Sequence, residues 1–520
     1  MSRGTPHAGA LCVGLPAATY SELHEDPRYK RHRPEETVLY RVVAAHWACF
    51  RERVEEVGPL PRFVVKESEE YLRCGILEYG HVRVACERCG FEHLVAFSCK
   101  RRGFCPSCMG RRMSDTAVHL TEHVLPQVPI WQWVCSLPWS LRVLLGYDRE
   151  LCAEVAGAFV QDLLRSLRFR AKHLFGLESV EDAHPGAVTF LQRFDSALRL
   201  NVHFHTLALD GVYVQGDGAA AGELAFRALP DPTGDEILDV ARRTAERVVA
   251  ILSKHGRSLD GLGEPSESGA ERDPALASCI GVAARTPALR VVERSRAREG
   301  ERVAVVMGFD VHAGASIDGR DRPRVERLCR YLGRPPIAQD RLEHLADGKV
   351  RYEMKKPWRD GTRFVIFDSD DLMARLCAMV PPPWFHMIRF HGVLAPNAKL
   401  RKQVVSSARL STAAASPKTP AAPVGAEQMS LFDHGAGVET PAPASGRRPW
   451  AWLLRHVFAV DVTVCPRCSG PMRWLAVATK PEDIANSLAR AGTGARAPPH
   501  KPNPPPRKPR APGTQLAFSL

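Results

Sequence analysis

Gly186 to Val214 reads GAVTFLQRFDSALRLNVHFHTLALDGVYV. Two apolar runs, Ala187–Phe194 and Asn201–Leu209, flank a short polar break, the pattern of two strands joined by a tight loop. The second run carries His203-Phe204-His205. Side chains alternate across a strand, so the two histidines project from one face and Phe204 from the other, where it can pack. Two neutral imidazoles aimed at one point supply half of a tetrahedral or octahedral metal site. If the hairpin closes symmetrically about Ala197 and Leu198, Gln192 stands opposite His203 on the same face, within reach of a shared divalent ion. A structural pair of histidines is the competing reading, because a His-x-His arises by chance roughly once in a chain of this length.

Composition narrows the choice. With 520 residues, of which 45% are hydrophobic, the chain has room for two or three domains with a substantial core. Seventy-one Lys and Arg against 58 Asp and Glu give a net charge of +13, which favours a polyanionic partner, nucleic acid first. Fifteen cysteines, an odd number clustered as Cys-x-x-Cys, suit metal binding in a reducing cytosol better than disulfides. The first twenty residues have no apolar core behind a cationic start, so no secretory signal is expected. The longest apolar stretch, residues 124–145, is broken by Pro126, Pro129, Pro138 and Arg142, which argues against a membrane span. No Gly-x4-Gly-Lys-Ser/Thr loop is present, so the chain is not expected to be its own helicase.

The strongest spacing signal is Cys86-Glu-Arg-Cys89 followed, after fifteen residues, by Cys105-Pro-Ser-Cys108. Two such knuckles can direct four thiolates at one ion, and the spacing predicts a structural zinc on Cys86, Cys89, Cys105 and Cys108. Cys74 and Cys99 lie close by; either could replace a ligand or help build a second site. Lys100, Arg101, Arg102, Arg111 and Arg112 fall in a stretch without acids between Glu92 and Asp115. They make either a solvated charged face or a phosphate-facing surface held by the metal, and the basic balance favours the second.

The histidine hairpin, with its Gln-Arg-Phe strand and the closing Asp210-Gly211, resembles the His-hydrophobic-His (HUH) endonucleases. It is most similar to the rolling-circle transposases of insertion-sequence family ninety-one and their single-tyrosine common-region relatives. Phe97 to Cys108 resembles the zinc-binding region of that family, and Trp133-Val-Cys-Ser-Leu-Pro138 the opening strand of its nuclease sheet. Pro381 to His386 and Arg389 to Leu394 resemble its closing segment; His386 and His391 there read as structural or DNA-contacting. Val325, Leu328 and Leu332 set a helical period that includes Tyr331 and ends before Pro335-Pro336. Arg330-Tyr331-Leu332 with Arg334-Pro335-Pro336-Ile337 is similar to the segment bearing the catalytic tyrosine, which makes Tyr331 the implied nucleophile. Relatives with two tyrosines space them four apart, but here that position is Arg327.

The resemblance implies a transposase that cleaves and rejoins single-stranded DNA at element ends through a 5′-phosphotyrosine. It would use Mg2+ or Mn2+ on His203, His205 and Gln192, structural Zn2+, and DNA contacts from the five cations above and Arg334. A bacterial cytoplasmic setting with host helicase and replication proteins would follow. The fold class expected is α+β, in six parts. Residues 1–35 are a flexible arm, 36–127 a helical and zinc-binding domain, and 128–403 the nuclease domain with a central antiparallel sheet flanked by helices. Residues 404–446 read as a disordered linker, 447–490 as a small Cys-x-x-Cys unit and 491–520 as a basic, proline-rich tail. Within these, 149–176 and 236–254 read as helices, 214–235 as turn-rich, 255–300 as an insertion or long loop, and 349–370 as strand, turn and strand. Cys465-Pro-Arg-Cys468 is half a ligand set, either a redox pair or a knuckle completed by His456. The rival readings are a plasmid replication initiator or relaxase, which a fused helicase motif or a plasmid replication defect would favour, and a non-catalytic zinc-dependent DNA-binding protein, which cleavage activity would exclude.

Overall fold

A computed structural model describes residues 33–216, 222–259, 273–287, 289–292, 302–358, 360–405 and 463–491. Most of the expected arm and of the linker, the tail beyond 491 and His456 lie outside the described residues.

Helix α1 (Val38–Val54) starts where the Thr37 side chain accepts a hydrogen bond from the Tyr40 amide. It buries Leu39, Val42, Val43, Trp47, Phe50 and Val54, one face at helical spacing. Helix α2 (Arg62–Tyr71), strands β1 (His81–Cys86) and β2 (Glu92–Ala96) and helix α3 (Pro106–His123) complete the N-terminal module. The main domain opens with β3 (Ile130–Ser136), α4 (Trp139–Tyr147) and α5 (Arg149–Phe175), then β4 (Gly186–Phe194) and β5 (Leu200–Leu209). A second hairpin, β6 (Gly211–Gln215) and β7 (Leu224–Ala228), lies where a turn-rich stretch was expected. After α6 (Gly234–Lys254), the expected insertion at 255–300 holds helix α7 (Pro274–Ala284) and strand β8 (Leu289–Val292). Strands β9 (Val303–Val306) and β10 (Phe309–Ile317), helix α8 (Arg322–Leu332) and strands β11 (Leu342–His344), β12 (Val350–Glu353) and β13 (Thr362–Phe367) follow. Helix α9 (Ser369–Met379), strand β14 (Ile388–Gly392), and far along the chain β15 (Met472–Ala478) and α10 (Pro481–Arg490) end the described chain. The fold is α+β, with N-terminal helices and a central antiparallel sheet, as its pattern predicted.

That central sheet has the order β14-β4-β5-β3-β10-β9, so the histidine strand sits inside it with partners on both sides. Its two faces differ. Val202, Phe204 and Ala208 of β5 join the large core under α4 and α5. From the opposite face, Leu207 and Leu209, with Val188 and Phe190 of β4, pack against Ala117 and Leu120 of α3 and Val325, Cys329 and Leu332 of α8. Burying side chains such as Phe190 and Phe204 fully contributes roughly 1.5–3 kcal/mol each, which fixes the register because a one-residue slip would turn the histidines into the core.

A four-stranded sheet, β11-β12-β13-β8, contains the strand, turn and strand expected near 349–370. Strand β15 does not form a separate C-terminal unit. It pairs antiparallel with β1, from His81 opposite Ala478 to Cys86 opposite Met472, and makes a three-stranded sheet β15-β1-β2. The cause is the open edge of β1, which a short hairpin alone leaves unpaired.

Candidate active site and metal centres

The turn of the β4–β5 hairpin is tightly specified. The Asp195 carboxylate accepts from the amides of Ala197 and Arg199 and from the Arg199 guanidinium, and Leu198 takes the left-handed φ of +57° that closes the loop. Arg375, only 1% exposed, donates to the carbonyls of Leu198, Ala283 and Arg285 and to the Asp371 carboxylate, clamping the turn between α7 and α9. The register follows: Gln192 pairs with His203 and Phe190 with His205. Across β5, Ser136 of β3 pairs with His203, and Asp310 of β10 pairs with Ser136. One polar row, Gln192, His203, Ser136 and Asp310, thus crosses four strands on the face that packs against α3 and α8.

The two imidazole rings have centroids 5.0 Å apart, edge to face. Burial lowers the pKa of both; His205 falls to about 3, with the neighbouring His203 and Arg334 adding to the effect. Both rings are therefore neutral near pH 7, the form that binds a cation. His203 Nδ1 lies 2.7 Å from the Asn201 carbonyl, so that nitrogen donates and Nε2 is left with its lone pair. His205 Nδ1 lies 3.1 Å from the Gln132 amide, which can turn its oxygen to accept a proton there and free Nε2 in the same way. No third His, Cys, Asp or Glu joins the pair in a compact ligand group among the described residues. Gln192 remains the third candidate. Its amide nitrogen donates to the Leu332 carbonyl at 2.8 Å, so its oxygen is the atom it can offer an ion.

That last bond ties the histidine face to helix α8, since Leu332 follows Tyr331. Tyr331 is 40% exposed, with the Arg334 guanidinium 4.4 Å and the Lys355 ammonium 5.0 Å from its ring centroid. Gln192, Arg334 and Lys355 line a cavity of about 980 Å³ together with Arg102, Arg112 and His386. Two of the predicted DNA contacts, Arg102 and Arg112, therefore come from the N-terminal module to the same cavity as Arg334. Arg101 does not: it forms a two-pronged pair with Glu70 of α2, an acid distant in sequence that the acid-free stretch did not reveal. Lys100 is exposed and Arg111 half-buried, and neither lines the cavity.

The cysteines assort differently from the spacing. Cys105 and Cys108 join Cys74 and Cys99, with Sγ–Sγ distances of 3.6 Å (Cys105–Cys74), 3.7 Å (Cys74–Cys108) and 3.4 Å (Cys99–Cys108). Cys86 and Cys89 instead face Cys465 and Cys468. The single set Cys86, Cys89, Cys105 and Cys108 is thus replaced by two sets of four. Within each, the four sulfurs lie within 4.8 Å of one another, the arrangement of a closed thiolate site.

Sequence comparison decides the family. The profile of a transposase zinc-binding domain matches residues 42–137, and that of a putative transposase matches residues 186–402. The transposase for insertion sequence element IS801 of Pseudomonas savastanoi pv. phaseolicola is 22% identical over 384 residues, which cover 72% of this chain and 81% of that protein. The chain belongs to the IS91 family of transposases. No solved structure matches it.

An IS91 transposase acts on DNA, which accounts for the basic charge and for cations gathered at the cavity beside Tyr331. No helix among the described residues is long and apolar enough to cross a membrane. Three polar groups of the site escaped the sequence reading. Gln132 could have been found from the alternation of β3, since it shares a face with Ile130 and Val134. Lys355 and Asp310 carry no local signal, because only tertiary packing brings Lys355 against the Tyr331 ring and only the sheet order puts Asp310 in the row of His203.

Proposed function

We propose that this transposase cleaves and rejoins single-stranded DNA at element ends, with Tyr331 as nucleophile and His203, His205 and Gln192 as the divalent-metal ligands. The observation that carries the reading is the Gln192 hydrogen bond to Leu332, which joins the histidine face to the end of the tyrosine helix. Mg2+ or Mn2+ held there supplies charge that polarises a phosphodiester and orients its oxygens.

The protein's own groups do the rest. Arg334 and Lys355 flank the Tyr331 ring and offer positive charge to a phosphate or to the phenolate. A phenol with an ordinary pKa of about 10 must lose its proton to attack well. Tyr331 Oη forms a bond to phosphorus, the bond from phosphorus to the 3′ oxygen breaks, and that oxygen leaves as a 3′-hydroxyl after taking up a proton. The 5′ end stays on Tyr331. A second 3′-hydroxyl then attacks the phosphotyrosine, loses its proton and restores the phenol, so strands are joined without ATP. Arg102 and Arg112 hold the backbone of the strand in the cavity, a sequence-independent contact that salt should weaken. A cytoplasmic setting and a host helicase that supplies single strands complete the reading.

The test is incubation of the full chain with single-stranded DNA bearing the element's ends and Mg2+ or Mn2+, followed by denaturing electrophoresis. A protein–DNA adduct is expected that Tyr331→Phe abolishes and that His203→Ala with His205→Ala reduces by at least about a hundredfold, since an effect of about 2.7 kcal/mol is that large. An adduct that survives in Tyr331→Phe would overturn the assignment.

A further inference from the structure

Cys86-Glu-Arg-Cys89-Gly90 and Cys465-Pro-Arg-Cys468-Ser469 share the pattern Cys-x-Arg-Cys at two places more than 370 residues apart. The structure folds them alike. Gly90 and Ser469 donate their amides to the carbonyls of Cys86 and Cys465, at 3.0 and 2.9 Å, and both have left-handed φ values, +67° and +55°. In each knuckle a following amide points at the first sulfur: Cys89 N is 3.5 Å from Cys86 Sγ, and Arg467 N is 3.4 Å from Cys465 Sγ. The knuckles face each other, with Cys86 Sγ 3.4 Å from Cys468 Sγ and Cys89 Sγ 3.6 Å from Cys465 Sγ. These separations are far beyond a disulfide of about 2.05 Å. They approach the roughly 3.8 Å edge of a tetrahedron whose metal–sulfur bonds are about 2.3 Å.

We propose that Cys86, Cys89, Cys465 and Cys468 bind a second zinc ion, distinct from one on Cys74, Cys99, Cys105 and Cys108, and that this ion is the clasp that holds residues 463–491 on the N-terminal module. The transposase zinc-binding profile ends at residue 137 and contains only half of these ligands. The surrounding apolar clusters are small: Val84, Val95 and Met472 with two of the cysteines are buried on one side of the sheet, flanked by Val82 and Phe91, and Leu77, Leu94 and Leu488 on the other, flanked by Ala96 and Ile484. A core this small does not hold a segment of about thirty residues against its conformational entropy, and small units of this kind depend on a metal. Gly470 packs so closely that a Cβ there would lie 3.1 Å from Cys86 Sγ and 3.2 Å from Cys468 Sγ, which fits backbone drawn in around a shared ion. The consequence is topological. The nuclease domain lies between two chain ends that one ion fastens together, and residue 491 is anchored beside the N-terminal module rather than at the end of the nuclease domain.

The experiment is zinc content by mass spectrometry of metals on the purified full chain, beside Cys465→Ser with Cys468→Ser. Two zinc ions per chain are expected, falling to one in the double variant; one ion in the unaltered chain, or two in the variant, would overturn the proposal. A second measurement does not depend on that variant's yield. A site-specific protease sequence placed within residues 406–462 is cut, and the fragments are separated by size. With the cysteines intact they should elute together, and with Cys465→Ser and Cys468→Ser they should part. Fragments that part with the cysteines intact, or stay together without them, would equally contradict the clasp.

Discussion

The two four-cysteine clusters share ligand chemistry but occupy different mechanical positions. Cys74, Cys99, Cys105 and Cys108 come from one stretch of 35 residues, and three of them are buried in the large core, where Tyr71 meets Phe104 edge to face at 5.1 Å. Cys86, Cys89, Cys465 and Cys468 come from opposite ends of the chain, and Cys89 is exposed over a satellite core. The first cluster is a strut inside the domain. The second joins the β1–β2 hairpin to residues 463–491, which pair with it through β15. A metal site's worth to the fold therefore depends on how much apolar surface surrounds it, not on its ligands alone.

Three substitutions sharpen this contrast, in falling order of effect. Cys108→Ser should be the most severe, because structural zinc in small domains carries apparent binding free energies of about 10–16 kcal/mol and this cluster adjoins the main core. Loss of the cooperative thermal transition, or insoluble protein, is the expected result; an unchanged melting temperature would show that the cluster is dispensable. Gly470→Ala should cost about 1–3 kcal/mol through overpacking, since the new Cβ would stand 2.9 Å from Arg88 Cβ as well as against two sulfurs. Its effect should be confined to residues 463–491 and the β1–β2 hairpin, seen as faster amide hydrogen exchange there and not in the central sheet.

Ser487→Ala is the mildest. His81, fully buried, donates from Nδ1 to the Leu77 carbonyl at 3.0 Å and accepts at Nε2 from the Ser487 hydroxyl at 2.6 Å. Removing the hydroxyl leaves a buried nitrogen unsatisfied, about 1–3 kcal/mol before any water enters. Faster exchange should appear in α10 alone. Equal acceleration in the central sheet would mean that the C-terminal segment is not the separable part.

The same contrast explains what the sequence revealed. The β4–β5 hairpin was legible down to its register because its partners are adjacent in sequence and its loop is short; the pairing of Gln192 with His203 followed from symmetry about Ala197 and Leu198. Helices α5, α6 and α8 were legible in the sequence. The cysteine partition was not, because the fifteen-residue spacing of Cys86–Cys89 and Cys105–Cys108 satisfies a familiar pattern, while the true partners of Cys86 lie 379 and 382 residues away. Strand β15 supplies those partners, and nothing local to it announces an edge at β1. The ion pair of Arg101 was hidden for a similar reason: its acid partner, Glu70, sits on helix α2, outside the acid-free stretch. Helix α7, by contrast, had apolar residues of its own, but the Gly- and charge-rich text around it masked a run of eleven residues.

The central claim is that Tyr331 of α8 carries the DNA between cleavage and rejoining. It is tested most directly by trapping the full chain on single-stranded DNA with the element's ends, digesting protein and DNA, and locating the nucleotide-bearing peptide by mass spectrometry. The account predicts one modified peptide, with the phosphate on Tyr331. A phosphate on any other residue, or cleaved DNA with no modified peptide, would contradict it.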